Sequence, residues 1–189
     1  MNKFLLGFTL CAALINPAWA DNSENNAADS ANGGRLLAQQ DMIYIDTSSW
    51  TQINIGGCDI SFPEKPRTSD IGSQGVSGRA WECELGEPLH IFKITKLEVT
   101  GISHQDTDEV LFKMISDTCN NLGGRAVSKK RLENQRNPGC MFKIMANDGE
   151  WDFMIRLDRD TVYTLSVCSM PGEAEDGYKD AFFRSFLIK

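Results

Sequence analysis

From Trp50 onward the chain carries short stretches in which apolar and polar positions alternate. In "WTQINI", Trp50, Gln52 and Asn54 fall on one side and Ile53 and Ile55 on the other, the period of a β-strand. After Gly56-Gly57, "CDISF" places Cys58, Ile60 and Phe62 on one face. Pro63 and Pro66 then end the strand, since neither can donate to a sheet ladder. Residues 67–79, "RTSDIGSQGVSGR", are rich in Ser and Gly and show no period, which predicts a mobile loop. Further strands are predicted at "AWECEL", with Trp81, Cys83 and Leu85 on one face, and at "LHIFKITKLEV", joined by a Gly86-Glu87-Pro88 turn.

The period then lengthens. Val110, Leu111, Met114, Ile115, Cys119 and Leu122 recur at helical spacing behind Asp106, a good N-cap with Glu109 three residues on, and Asn120 to Gly124 supply the stop. A weaker strand, "RAVSKKRLE", follows, and "CMFKIMANDGEWDFMIRL" holds two apolar runs around Asn147-Asp148-Gly149, a hairpin signal. "TVYTLSVCSM" adds a strand after Asp158-Arg159-Asp160. Ala174, Tyr178, Ala181 and Phe182 form the stripe of a last helix, with Glu173, Glu175 and Asp176 in its first turn, where the helix dipole favours anions. The order strands–helix–strands–helix predicts one α+β domain over residues 45–189: an antiparallel β-sheet covered by helices.

The strand ending in "FPEKP", the long mid-chain helix, the β meander and the closing "FFRSFLI" resemble exported bacterial domains of the PsbP-like α/β/α sandwich. The resemblance spans roughly Ile45 to Lys189. It implies a binding, accessory or assembly role without catalysis, and it carries no functional residue onto any position here.

The first twenty residues change the picture. Lys3, the apolar run Phe4–Ile15 and Ala18-Trp19-Ala20 have the layout of a secretory signal peptide cleaved after Ala20, which predicts a periplasmic or secreted protein. Residues 21–40, polar and without an aromatic, predict a flexible tail. No later stretch approaches the ~18 apolar residues of a membrane span, so no transmembrane segment is expected in the mature chain. Nineteen Lys and Arg against 26 Asp and Glu give a net charge of −7, which argues against nucleic acid as a partner.

Cleavage would leave Cys58, Cys83, Cys119, Cys140 and Cys168. In an oxidising compartment two bridges would be expected, with roughly fifteen possible arrangements. The strand reading favours Cys58–Cys83 across consecutive strands and Cys119–Cys140 around a basic loop, leaving Cys168 as a free thiol; Cys140–Cys168 is the second choice. No Cys-x-x-Cys pair and only two histidines, His90 and His104, are present, so neither a metal site nor a cofactor is expected. Ser103, His104 and Asp106 suggest a catalytic triad but stand too close in sequence to align. Arg125, Lys129, Lys130, Arg131 and Arg136 gather within twelve positions of this acidic chain, a candidate contact for another envelope protein or an anionic surface. The 67–79 loop is a second candidate contact. The leading expectation is an exported, non-catalytic binding or assembly protein of the bacterial envelope. A secreted inhibitor or adhesin, and a thiol enzyme using Cys168, are the alternatives.

Overall fold

A computed structural model describes residues 45–73, 76–86, 90–133, 136–147, 149–169 and 177–189. The expected leader (1–20) and tail (21–40), most of the Gly86-Glu87-Pro88 turn and the acidic cluster at Glu173, Glu175 and Asp176 lie outside the described residues.

Two antiparallel sheets make up the domain. A three-stranded sheet runs β1 (Thr51–Asn54), β2 (Cys58–Phe62) and β10 (Leu187–Ile188). The seven-stranded sheet contains β3 (Arg67–Ser73), β4 (Val76–Leu85), β5 (His90–Val99), β6 (Arg125–Leu132), β7 (Gly139–Ala146), β8 (Gly149–Asp158) and β9 (Thr161–Ser169). Its spatial order is β3-β4-β5-β9-β8-β7-β6, every described pairing being antiparallel. Helix α1 (Thr107–Leu122) crosses from β5 to β6, and α2 (Tyr178–Ser185) precedes β10.

Alternation along the central strands builds one core on each face of the large sheet. On β8, Phe153, Ile155 and Leu157 join Val110, Leu111, Met114 and Ile115 of α1, while Met154 turns to the other side. On that side Phe92, Ile94, Leu165 and Val167 meet Phe182 and Phe183 of α2 and Cys58, Ile60 and Phe62 of β2. The layers are therefore α1, the large sheet, and then α2 with the small sheet. Both faces of the central strands carry apolar residues, which is why β5 and β9 keep buried positions on either side.

The two helices start differently. Asp106 Oδ1 accepts from the backbone N–H groups of Asp108 (2.9 Å) and Glu109 (3.0 Å), and α1 ends at Gly123, whose φ of 59° is left-handed. Both ends match the sequence reading. Helix α2 begins after Gly177 without a side-chain cap. Its hold comes from packing: Trp50 stacks on Tyr178 at 6.1 Å, and Ser185 Oγ accepts from the Ser61 backbone N–H at 3.0 Å.

Residues 67–79 are not a loop. β3 and β4 form an antiparallel pair from Arg67↔Glu82 to Ser73↔Val76. The hairpin stands at the sheet edge, where much of both faces meets water, so selection for an apolar period is weak. Exposed ion pairs line it, Arg79–Asp70 at 2.8 Å and Arg67–Glu84 at 2.6 Å. Gly78 lies where a Cβ would stand 2.4 Å from Leu97 and 2.8 Å from the Lys96 carbonyl. Gly78, one of the residues that suggested a loop, thus serves close strand packing.

Candidate functional sites: thiols, a basic edge strand and a cavity

The expected bridges are absent: Cys58, Cys83, Cys119, Cys140 and Cys168 are all thiols. Cys58 and Cys83 share a core but stand on different sheets, because β3 intervenes between their strands and β2 pairs with β1 and β10 instead. The Cys83 sulfur hydrogen-bonds with the Glu64 backbone. The Cys119 sulfur hydrogen-bonds with the Ala126 backbone, and Ala126 is paired with Ile144. Cys140 lies four residues from Ile144 along β7, about 13 Å at strand rise, beyond the roughly 7 Å Cα separation a disulfide tolerates. Cys140–Cys168 fails too, since β8 runs between their strands and Cys140 aligns with Ile155 and Thr164, not with Cys168.

Burial also suppresses their reactivity. It pushes the Cys58 thiol up to about 12 and the Cys140 thiol up to about 11, and it raises Cys83 and Cys119 as well. At pH 8 these sulfurs are protonated and poor nucleophiles. In the native chain without reductant, iodoacetamide is expected to modify Cys119, half-buried on α1, at least roughly tenfold faster than Cys58 or Cys140. All five should become reactive in urea. Peptide mass spectrometry that recovers any Cys–Cys cross-link would overturn this assignment.

His90 does not have the setting of a general base. His90 is buried, 4% exposed, with Nδ1 3.0 Å from Ser169 Oγ and Phe92 beside its ring. Ser103 Oγ donates to Asp160 at 2.7 Å, and Asp106 Oδ1 is occupied by the cap of α1. Ser103, His104 and Asp106 therefore do not point their functions at one another. Cys168, at 8% exposed, packs on the sheet near Gly149. Among the described residues no group of three His, Cys, Asp or Glu gathers in a way that could hold a metal ion, and no helix is long and apolar enough to cross a membrane.

The basic residues belong to an edge. β6 is the last strand of the large sheet, and Arg125, Lys129, Lys130 and Arg131 are all exposed on it, with Arg136 in the following turn. A bulge between Ala126 and Ser128 sets the facing. Lys129 and Arg131 turn toward α1: Lys129 Nζ stands 5.5 Å over the Phe112 ring, and Arg131 forms an ion pair with Asp108. Lys130 and Arg125 oppose Met141 and Met145 and so lie on the other face. The five do not form one flat patch. Phe112 and Val127, 66% and 46% exposed, add apolar surface beside them. Sequence reading missed both, because a single apolar residue outside a stripe carries no signal.

A cavity of about 220 Å³ lies on the other part of the α1 face. Residues of β4, β5, β8, β9 and α1 line it, and none from β6 or β7. Its origin is geometric. Seven strands spaced about 4.8 Å apart span more than one helix of about 10–12 Å diameter can cover, and α1 packs over β6 and β7. The ground toward β5 and β9 is left partly uncovered.

Neither a protein-family model nor a curated protein sequence matches the chain. Solved structures do. The solution structure of cyanobacterial PsbP (CyanoP) from Synechocystis sp. PCC 6803 superposes with a TM-score of 0.52 at 10% identity, covering 85% of this chain and 98% of that one. The fold is PsbP-like. Two helices on a large antiparallel sheet thus agree with the α+β class and the resemblance read from the sequence. A Pseudomonas aeruginosa protein of unknown function, PA94, gives a TM-score of 0.43 at 10% identity, covering 71% of this chain and 92% of that one. At such identities the PsbP-like likeness concerns the fold alone.

Proposed function

We propose that this chain is an exported, non-catalytic binding or accessory domain of the bacterial envelope that engages acidic segments of a partner protein along β6. The observation that carries the reading is the concentration of exposed cations on one open sheet edge in a chain of net charge −7. An open edge offers backbone donors and acceptors to an added strand, and Lys and Arg select an acidic one. The leader-like first twenty residues support export to the periplasm or beyond. The engaged His90 and the buried Cys168 support a non-catalytic role and weigh against a thiol enzyme, since a nucleophile needs access.

The test is capture from envelope extracts by the wild-type domain and by Lys129→Glu/Lys130→Glu/Arg131→Glu. Wild type is expected to retain proteins that elute as salt rises to about 0.5 M, where screening is strong, and the triple variant to lose at least roughly 90% of them. Equal retention by both forms sinks the reading. Retention of anionic lipid vesicles in place of proteins would reassign the edge to a membrane surface. Recovery of the native protein mainly from culture medium would favour a secreted inhibitor or adhesin.

A further inference from the structure

We infer, resting on the reading of β6 as the docking edge, that the segment it takes is an extended strand of alternating character. Its acidic side chains fall on the side of the sheet that carries α2, and its apolar side chains on the side that carries α1. β6 sorts its own residues in this way. Past the bulge at Ala126/Ser128, the residues from Ser128 to Leu132 pair one for one with those from Lys143 to Gly139 of β7. That straight run is long enough to hold a strand. Phe142 and Cys140 belong to the core under α1, so their partners Lys129 and Arg131 share that side. Met141 packs against the other core, which puts Lys130 on the α2 side, and Arg125, opposite Met145, follows it.

The two sides differ in what they leave unsatisfied. On the α1 side the cations are engaged: Arg131 is paired with Asp108, and Lys129 Nζ lies 5.5 Å over the Phe112 ring. What remains to be covered there is the ring itself, 66% exposed. On the α2 side Arg125 and Lys130 are exposed, and no carboxylate among the described residues pairs with either.

An added strand continues the pleat, so each of its side chains projects to the same side as the β6 residue opposite. Alternation of acidic and apolar residues therefore sets carboxylates against Lys130, a favourable cross-strand pair. The same alternation sets apolar side chains against Phe112, where burial of the ring removes apolar surface from water. A block of consecutive acids puts half of its carboxylates on the α1 side, beside Asp108, where a second negative charge is opposed.

Three end-capped heptapeptides, titrated into the full chain and followed by amide shifts in two-dimensional NMR, provide the test. Glu-Val-Glu-Val-Glu-Val-Glu alternates, and Glu-Glu-Glu-Glu-Val-Val-Val has the same composition in blocks. Glu-Thr-Glu-Thr-Glu-Thr-Glu keeps the acids and makes the other side polar. The first is expected to bind with a dissociation constant on the order of 0.1 mM, and the block peptide at least about fivefold more weakly. The Thr peptide should also bind about fivefold more weakly, and its deficit against the Val peptide should vanish in Phe112→Ala. Lys130→Glu should weaken the alternating peptide at least about tenfold. Both substituted residues are exposed, so the core is spared. Equal binding of the alternating and block peptides, a Thr deficit that persists in Phe112→Ala, an unchanged affinity in Lys130→Glu, or no saturable shift up to about 5 mM would each overturn the alternation. Loss of all peptide binding in Lys129→Glu/Lys130→Glu/Arg131→Glu would still leave β6 as an acid-binding edge. Wild-type peptide binding by that triple variant would remove β6 itself, and in the absence of any peptide binding the envelope capture decides the edge separately.

Discussion

Replacing Phe182 with alanine is expected to lower the unfolding free energy by about 3–5 kcal/mol, the range for a large aromatic removed from a core. Phe182 is fully buried on α2. Its ring meets Phe62 at 5.2 Å and Phe92 at 5.3 Å, both edge-on, so it joins the small sheet to the large one. Phe183 packs beside it at 5.9 Å. Edge-to-face pairs add about 0.5–1.5 kcal/mol beyond area burial. Collapse into the space left is restricted, because β2 and β5 are each tied into hydrogen-bonded ladders. The α2 helix has no side-chain cap at its start, so docking of this ring is its main support. Urea unfolding followed by circular dichroism measures the change. A loss under about 1.5 kcal/mol would show that the two sheets are held together elsewhere.

Gly139→Ala is expected to cost about 3 kcal/mol, the upper part of the range for overpacking, through a different mechanism. A Cβ there would stand 2.0 Å from the Ile155 carbonyl oxygen and 2.9 Å from Arg156 Cδ. The oxygen belongs to backbone, and no rotamer change moves it. Gly139 begins β7 between β6 and β8, paired with Leu132 on one side and Arg156 on the other. Relief would require one of those strands to shift. Gly123→Ala is the control: nothing lies within 4 Å of its Cβ position, and only its left-handed φ of 59° is penalised. That substitution should cost about 1–2 kcal/mol. If the two alanine variants melted alike, the close strand contact at Gly139 would not be what requires glycine.

What could be read from the chain follows from where local chemistry decides structure. Asp106 and Gly123 bound α1 through groups that act within three or four residues, so both ends were legible. The alternation of Cys58, Ile60 and Phe62 was legible because one side of β2 is fully buried, and so was the hairpin linking β7 to β8. The β3–β4 hairpin was not, since an edge strand open to water loses its apolar period. The cysteine pairing failed for a related reason. Strands adjacent in sequence suggest neighbours in space, but β3, which shows no apolar period, pairs with β4 and leaves Cys83 on a different sheet from Cys58. The basic group was visible, but its division between two faces depends on a bulge at Ala126/Ser128 that composition does not encode. The cavity was hidden for a stronger reason: its lining looks like ordinary strand and helix residues until the position of α1 over the sheet is known.

The partnership of β2 with β10 bears on the order of assembly. Leu187 and Ile188 pair with Asp59 and Cys58, the Lys189 backbone N–H donates to the Gly57 carbonyl at 3.0 Å, and Lys189 Nζ pairs with Asp59 at 2.9 Å. Ser61 and Ser185 meet across a sequence separation of 124. The meander β7–β8–β9, by contrast, closes through near-neighbour hairpins, which form early because little loop entropy opposes them. One core can therefore condense while the chain is still emerging. The other lacks its last strand until residues 187–189 arrive to pair with β2 and Gly57.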